Sequence, residues 1–337
     1  MKKHINIPIF IPHYGCPNAC VFCNQKKITG KPCYSRDSVI KEIEAALSTV
    51  DTKNTEVELA FFGGSFTAIP ENEMLGLLEI SDIFLKSGQI GAVRLSTRPD
   101  AINERVLEIL FLHGVKTIEL GLQSFSDRVL MASKRGHTAS DSESACKMIK
   151  AHGFKLIGQM MVGLPCSTPE DEIYTAKRIC ELGCDGARIY PTVVFPETEL
   201  DDMAKGGEYK PLSHDDAIER TSKILEVFID ADVPVIRIGL CSNETLNDGS
   251  YAENYHPSVG ELAINRFYLG KMADALKKSG KIQGKAVTFY VAKGKISQAV
   301  GQKRANIRYL TEKFALKDIK IKEKDDMRAF SLSLDIN

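Results

Sequence analysis

Seven short runs rich in β-branched and aromatic residues, at 7–11, 57–62, 93–97, 117–120, 156–162, 188–191 and 235–238, alternate with longer amphipathic segments. After the first run, "RDSVIKEIEAALSTV" spaces Val39, Ile43, Ala46, Leu47 and Val50 at a 3.6-residue period, which predicts a helix. "PENEMLGLLEISDIFLKSG" ends in Lys-Ser-Gly, a C-cap signal. "DAINERVLEILFLHG" reads as a helix capped by Asp100 and stopped at Gly114. "SDSESACKMIKAHG" and "TPEDEIYTAKRICELG" repeat the scheme. Such regular alternation predicts βαβ units on a parallel sheet. A parallel barrel, full or partial, builds its active site at the carboxyl ends of its strands.

The rhythm changes near residue 280, at the Gly/Lys-rich "KKSGKIQGK". There follow a predicted strand "AVTFYVA", a helical "ISQAVGQKRANIRYLTEKF", and strands "DIKIK" and "AFSLSL". The 337 residues therefore divide into a barrel domain (1–240), a helical connection (241–284) and a small module (285–337). Lys plus Arg and Asp plus Glu are equal at 44, so a nucleic-acid partner requires a local basic patch. "MKKHINIPIFIPHYG" reads as a first strand, not a signal peptide, and no apolar stretch is long enough to span a membrane. Nine cysteines, odd in number and mostly scattered through apolar segments, predict reduced thiols and a cytoplasmic protein. Cys146, Cys166, Cys180, Cys184 and Cys241 read as small core residues.

Cys16, Cys20 and Cys23 are different. They fall within the eight residues after the first strand, spaced C-x3-C-x2-C. A structural zinc needs four ligands, usually in two separated pairs; Cys33 or His13 is a possible fourth, but no second C-x2-C exists. Three cysteines on an iron–sulfur cluster leave one iron open. With Phe22 directly before the third cysteine, the arrangement resembles the radical S-adenosylmethionine superfamily. The resemblance implies a partial (β/α)6 TIM-like barrel. It also implies a [4Fe–4S] cluster on Cys16, Cys20 and Cys23, chelated by S-adenosylmethionine, with Phe22 near the adenine. The second strand ends "FFGGSF", about 40 residues after the cysteines. There Gly63, Gly64 and Ser65 match the superfamily's Gly-Gly motif, which holds the methionine amino group. Gln123 and Arg135, twelve residues apart, resemble the pair that contacts the ribose and the methionine carboxylate in oxygen-independent coproporphyrinogen III oxidase. "MMVGLP" resembles the later adenine-side motif, with Gln159 reaching the ribose.

"STRPD", "ELGLQS", "RGHT", "IYPTVVFPETEL" and "GGEYKPLS" resemble the radical domain of the Elongator catalytic-subunit family, which modifies the tRNA wobble uridine. That family spaces its first two cysteines further apart and carries a tRNA-binding extension and an acetyltransferase domain that have no counterpart here. The resemblance implies a short bacterial relative that acts on tRNA or another RNA and takes electrons from an external one-electron reductant of the flavodoxin or ferredoxin type. Tyr190, Arg98 and Glu119 are further strand-end candidates, and His137 is read as orienting the Arg135 loop. Two alternatives remain: a radical enzyme acting on a small molecule such as a porphyrinogen, and a non-enzymatic metal-bearing RNA-binding protein. Residues 295–321 resemble the core of a KH RNA-binding module. Its G-x-x-G loop is "GQKR" here, with Gly301 kept and Arg304 in place of the second glycine, and with Lys303, Arg304 and Arg308 forming a basic patch.

Overall fold

The computed structural model describes residues 3–11, 16, 20–24, 34–52, 54–240 and 256–336. His13, Cys33 and Cys241 lie outside the described residues. All seven expected strands are present: β1 (Lys3–Ile11), β2 (Thr55–Gly63), β3 (Ala92–Thr97), β4 (Val115–Gln123), β5 (Lys155–Val162), β6 (Gly186–Pro191) and β7 (Val235–Ile238). They form one parallel sheet in strict sequence order, curled into a half-barrel with β1 and β7 at its edges. Six strand–helix units are thus followed by a seventh strand.

The helices on the sheet are α1 (Arg36–Leu47), α2 (Glu71–Lys86), α3 (Glu104–Leu112), α4 (Asp127–Ala132), α5 (Ala139–Ala151), α6 (Pro169–Glu181), α7 (Glu199–Lys205) and α8 (His214–Asp230). Their starts are chemically marked. Ser35, Thr138 and Thr168 close capping boxes with Ser38, Asp141 and Asp171, satisfying backbone N–H groups that have no helical partner. The expected cap of α3 is corrected: Asn103, not Asp100, accepts from the Val106 amide. Asp100 lies in a 3-10 turn (Pro99–Ala101), where the Arg98 guanidinium claims its carboxylate at 2.5 Å.

One face of the sheet supplies Ile7, Ile9, Val57, Leu59, Phe61, Val93, Leu95, Ile118, Leu120 and Ile189 to the main core beneath the helices. Strands buried under apolar layers on both sides read as continuous hydrophobic runs. Here polar residues alternate with those core residues: Glu58, Arg94, Glu119, Gln159 and Arg188 occupy the other, concave face. The half-barrel therefore encloses a polar interior. The seven cysteines among the described residues are free thiols. Cys146 and Cys184 are buried as expected, but Cys166 is exposed, in a turn with φ of 62°.

A second core forms where α9 (Val259–Lys278) packs on the carboxyl-terminal sheet of β8 (Ala286–Ala292), β9 (Asp318–Lys324) and β10 (Leu332–Ile336). The sheet order is β10–β8–β9, with β9 parallel and β10 antiparallel to β8. The helical stretch 296–314 is two helices, α10 (Ile296–Val300) and α11 (Ala305–Phe314), with the turn between them at the "GQKR" loop read from the sequence. Gly301 takes φ of 76°, and Lys303 and Arg304 follow in left-handed conformations, so no helix continues through them. Among the described residues no helix is long and apolar enough to cross a membrane.

Candidate active site

The expected site residues converge at the carboxyl ends of β1, β2, β4 and β5. β2 ends in Gly63, whose φ of 108° and position against the β1 end both require glycine. A Cβ there would stand 3.1 Å from the Ile11 backbone. The Gly64 amide donates to the Ile11 carbonyl at 2.7 Å, tying the Gly-Gly turn to the strand that leads into the cysteine loop. The next residue, Ser65, lies with its Oγ 3.4 Å from the Cys16 Sγ.

The cysteine loop is held from two further sides. The Val21 amide donates to the Ser133 carbonyl at 3.3 Å, and the Leu200 amide donates to the Val21 carbonyl at 2.8 Å. Val21 packs with Val194, Leu200 and Tyr209, and Phe22 lies against the same small cluster. Arg135 reaches in from the loop after α4: its Nη1 donates to the Cys20 Sγ at 3.2 Å and its Nη2 to the Gly121 carbonyl at 2.7 Å. Gln123 ends β4 at a β-bulge, with φ of 65° and its side chain buried. The Gln159 Nε2 lies 3.5 Å from its Oε1. A left-handed, buried, non-glycine residue is costly, and such residues concentrate at functional sites.

Behind Arg135 stands a brace that sequence alone did not reveal. Arg98, 2% exposed, pairs with Asp100 and donates through Nη2 to the Arg135 carbonyl oxygen. Its guanidinium is turned to the protein, not to a ligand. His137, its side chain fully buried, lies 4.0 Å from the Asp100 carboxylate. Burial, then the Arg135 charge, hold its imidazole down at about 4.

The concave face carries a chain of buried charges. Arg94 pairs with Glu58 at 2.6 Å and with Glu119 at 2.9 Å. Arg188 pairs with Glu119 at 2.7 Å, donates to the Tyr190 hydroxyl at 3.2 Å, and lies over the Phe62 ring. Burial is the largest single influence on the Arg188 charge and works against it, but Glu119 and Tyr190 together outweigh it and raise the guanidinium. Burial also raises the Tyr190 hydroxyl. Glu119 thus joins strands rather than facing a ligand. The alternation of charged with apolar residues in "EVELAF", "AVRLST", "TIELGL" and "GARIYP" was the legible signal for this chain.

The donor set suits an iron–sulfur cluster. Three thiols share one short loop, and a guanidinium N–H already points at one sulfur, the contact that a ligating thiolate accepts. The Arg135 Nε is buried with no hydrogen-bond partner, a donor left for an anion beside the loop. Among the described residues no three His, Cys, Asp or Glu side chains gather to hold one metal ion. Cluster cysteines instead bind separate irons.

This fold and this loop define the class. Residues 10–179 match the radical SAM superfamily and residues 184–268 match the radical SAM C-terminal domain, and the chain belongs to that superfamily. It is a radical SAM enzyme, with a [4Fe–4S] cluster and S-adenosylmethionine as cofactors. It is 28% identical over 294 residues to an uncharacterized protein of Methanocaldococcus jannaschii, covering 84% of this chain and 87% of that protein. It is 37% identical over 131 residues to a tRNA uridine(34) acetyltransferase of the same archaeon, covering 38% of this chain and 24% of that enzyme. Its fold is similar to that of Methanocaldococcus infernus Elp3 with an N-terminal deletion. The TM-score is 0.62 at 22% identity, over 81% of this chain and 64% of the other.

Proposed function

We propose that this enzyme reductively cleaves S-adenosylmethionine and uses the product radical to abstract a hydrogen atom from RNA, with tRNA the favoured substrate. The observation that carries the reading is the contact between Arg135 and Cys20, residues 115 positions apart, at the mouth of a half-barrel. When bound, the reduced cluster supplies the electron that splits S-adenosylmethionine into methionine and a 5′-deoxyadenosyl radical. Cys16, Cys20 and Cys23 hold the cluster. The Arg135 N–H on the Cys20 sulfur steadies the thiolate, and its free Nε takes the methionine carboxylate. Gly63, Gly64 and Ser65 receive the methionine amino group on backbone that only a Cβ-free turn brings so close. Gln123 and Gln159 orient the ribose, and Phe22 covers the adenine. Arg98 keeps Arg135 in place from behind.

A tRNA substrate is supported by the motif likeness to the Elongator family and by a relative named for tRNA uridine(34). A KH-like reading of the carboxyl-terminal module is supported by its β8–α10–turn–α11–β9 order and its basic turn. Electrons come from an external one-electron donor.

The test is anaerobic reconstitution with iron and sulfide, reduction with dithionite, and chromatography for 5′-deoxyadenosine after adding S-adenosylmethionine. Product from the wild-type chain, with neither product nor cluster absorbance in Cys20→Ala, is expected. A cluster that forms but never yields 5′-deoxyadenosine would sink the reading.

A further inference from the structure

The carboxyl-terminal sheet is two-faced. Val287, Phe289, Val291 and Ile319 point into the core under α9 and α11. The alternate residues stand on the other face. In register, Thr288 lies opposite Lys320, Tyr290 opposite Lys322, and Ala292 opposite Lys324, with Ser333 and Asp335 on the far strand. Lys320, Lys322 and Lys324 are exposed, and Tyr290 is half-buried between them and β10. Lysines two residues apart on one strand recur every ~6.6 Å, a row suited to a linear polyanion rather than to a single charge.

The chain's neutrality conceals a segregation. Residues 285–337 hold twelve Lys and Arg against six Asp and Glu, so the rest of the chain carries the matching acidic excess. Among the described residues no carboxylate pairs with Lys320 or Lys322, and Lys324 has only exposed Asp326 at 3.9 Å. An exposed pair of that kind neutralises little.

We infer that this face is a docking platform for a single-stranded segment of RNA, with the β9 lysines on successive phosphates and Tyr290 under a base. Aromatic rings between backbone-tracking cations are how sequence-tolerant single-strand binding works. The inference rests on the reading that the substrate is RNA, and it uses a surface separate from the Gly301–Arg304 turn.

The test is fluorescence anisotropy on the full-length, reconstituted protein. The probes are a labelled single-stranded RNA of mixed sequence and labelled bulk tRNA, titrated over a salt series. The variants are Lys320→Glu/Lys322→Glu, Tyr290→Ala and Lys303→Glu/Arg304→Glu. 5′-Deoxyadenosine formation without RNA and the melting temperature serve as controls. The lysine pair variant is expected to lose at least about tenfold in affinity and to flatten the log–log salt slope by about 1.4, at ~0.7 per phosphate contact. Tyr290→Ala is expected to lose about tenfold with the slope unchanged. Both should make 5′-deoxyadenosine at the wild-type rate. Wild-type affinity in the lysine pair variant reduces those lysines to guards of an exposed strand edge and overturns the platform, as does a loss confined to Lys303→Glu/Arg304→Glu. Undiminished affinity in Tyr290→Ala marks a generic anion surface and overturns the stacking role. If the wild-type protein makes 5′-deoxyadenosine but binds neither RNA, the RNA reading itself falls.

Discussion

Arg135 satisfies three neighbours at once, and the sequence disclosed only that a cation stands twelve residues after Gln123. Arg135→Ala should leave the cluster's visible absorbance intact while weakening S-adenosylmethionine by about ten- to a hundredfold, since a lost charge-assisted pair costs about 1.5–3 kcal/mol. Equilibrium binding to the reconstituted variant checks this, and unchanged affinity would remove Arg135 from the site. His137 makes a pH prediction. Its native imidazole resists protonation until about pH 4, whereas in the unfolded chain it titrates near its ordinary 6.5. The unfolded state therefore binds the extra proton between those values, and stability falls as pH drops through that window. The contribution is about 2 kcal/mol between pH 7 and 5. Denaturant unfolding at both pH values should show this loss in the wild type and its absence in His137→Phe. That the candidate residues would gather at the strand ends was legible, because clustered cysteines and a Gly-Gly pair have few other uses directly after a strand. The role of Arg98 was not, because a guanidinium facing a ligand and one bracing a backbone carbonyl read identically in sequence.

At the scale of elements, the strands and most helix starts were legible from periodicity and caps. One error has a plain cause, a local competitor stronger than the cap signal: Asp100 was taken by Arg98. The turn between the two helices at 296–314 falls on the "GQKR" loop read from the sequence, with Lys303 and Arg304 left-handed in it. A different kind of element contact ties the β5 end to two helices. Glu172 of α6 accepts from the Gly163 amide at 2.6 Å and from Arg220 of α8 at 2.8 Å, while the Tyr209 hydroxyl donates to the Gly163 carbonyl at 2.6 Å. Burial raises the Glu172 carboxyl despite these donors. Glu172→Ala would strand the mostly buried Arg220 charge, at a cost of about 3–5 kcal/mol. Its melting temperature should drop by several degrees in thermal unfolding, with Glu172→Gln intermediate. An unchanged melting temperature would mean that the three elements are held by packing alone.

Over the whole molecule, α9 belongs to both halves of the chain. Phe267, Tyr268, Met272 and Leu276 are buried against the carboxyl-terminal sheet, while Leu225 of α8 joins the same cluster. Each such side chain is worth about 1.5–3 kcal/mol of transfer from water. Removing residues 285–337 should therefore yield an aggregating protein by size-exclusion chromatography, not a smaller active one, and a monodisperse truncated chain would contradict the shared core. This coupling was hidden in the sequence, where a Gly/Lys-rich stretch suggests a clean boundary. The strand order carries its own implication for biosynthesis. Every barrel strand pairs with the one before it, so each strand's first partner has already been synthesised when it leaves the ribosome. The cysteine loop emerges with the first strand, and the arginine that contacts it follows 115 residues later. At about 5–20 residues per second, the nascent thiols wait roughly ten seconds for that partner. During synthesis, then, Cys20 spends that interval without the guanidinium contact it has in the finished barrel.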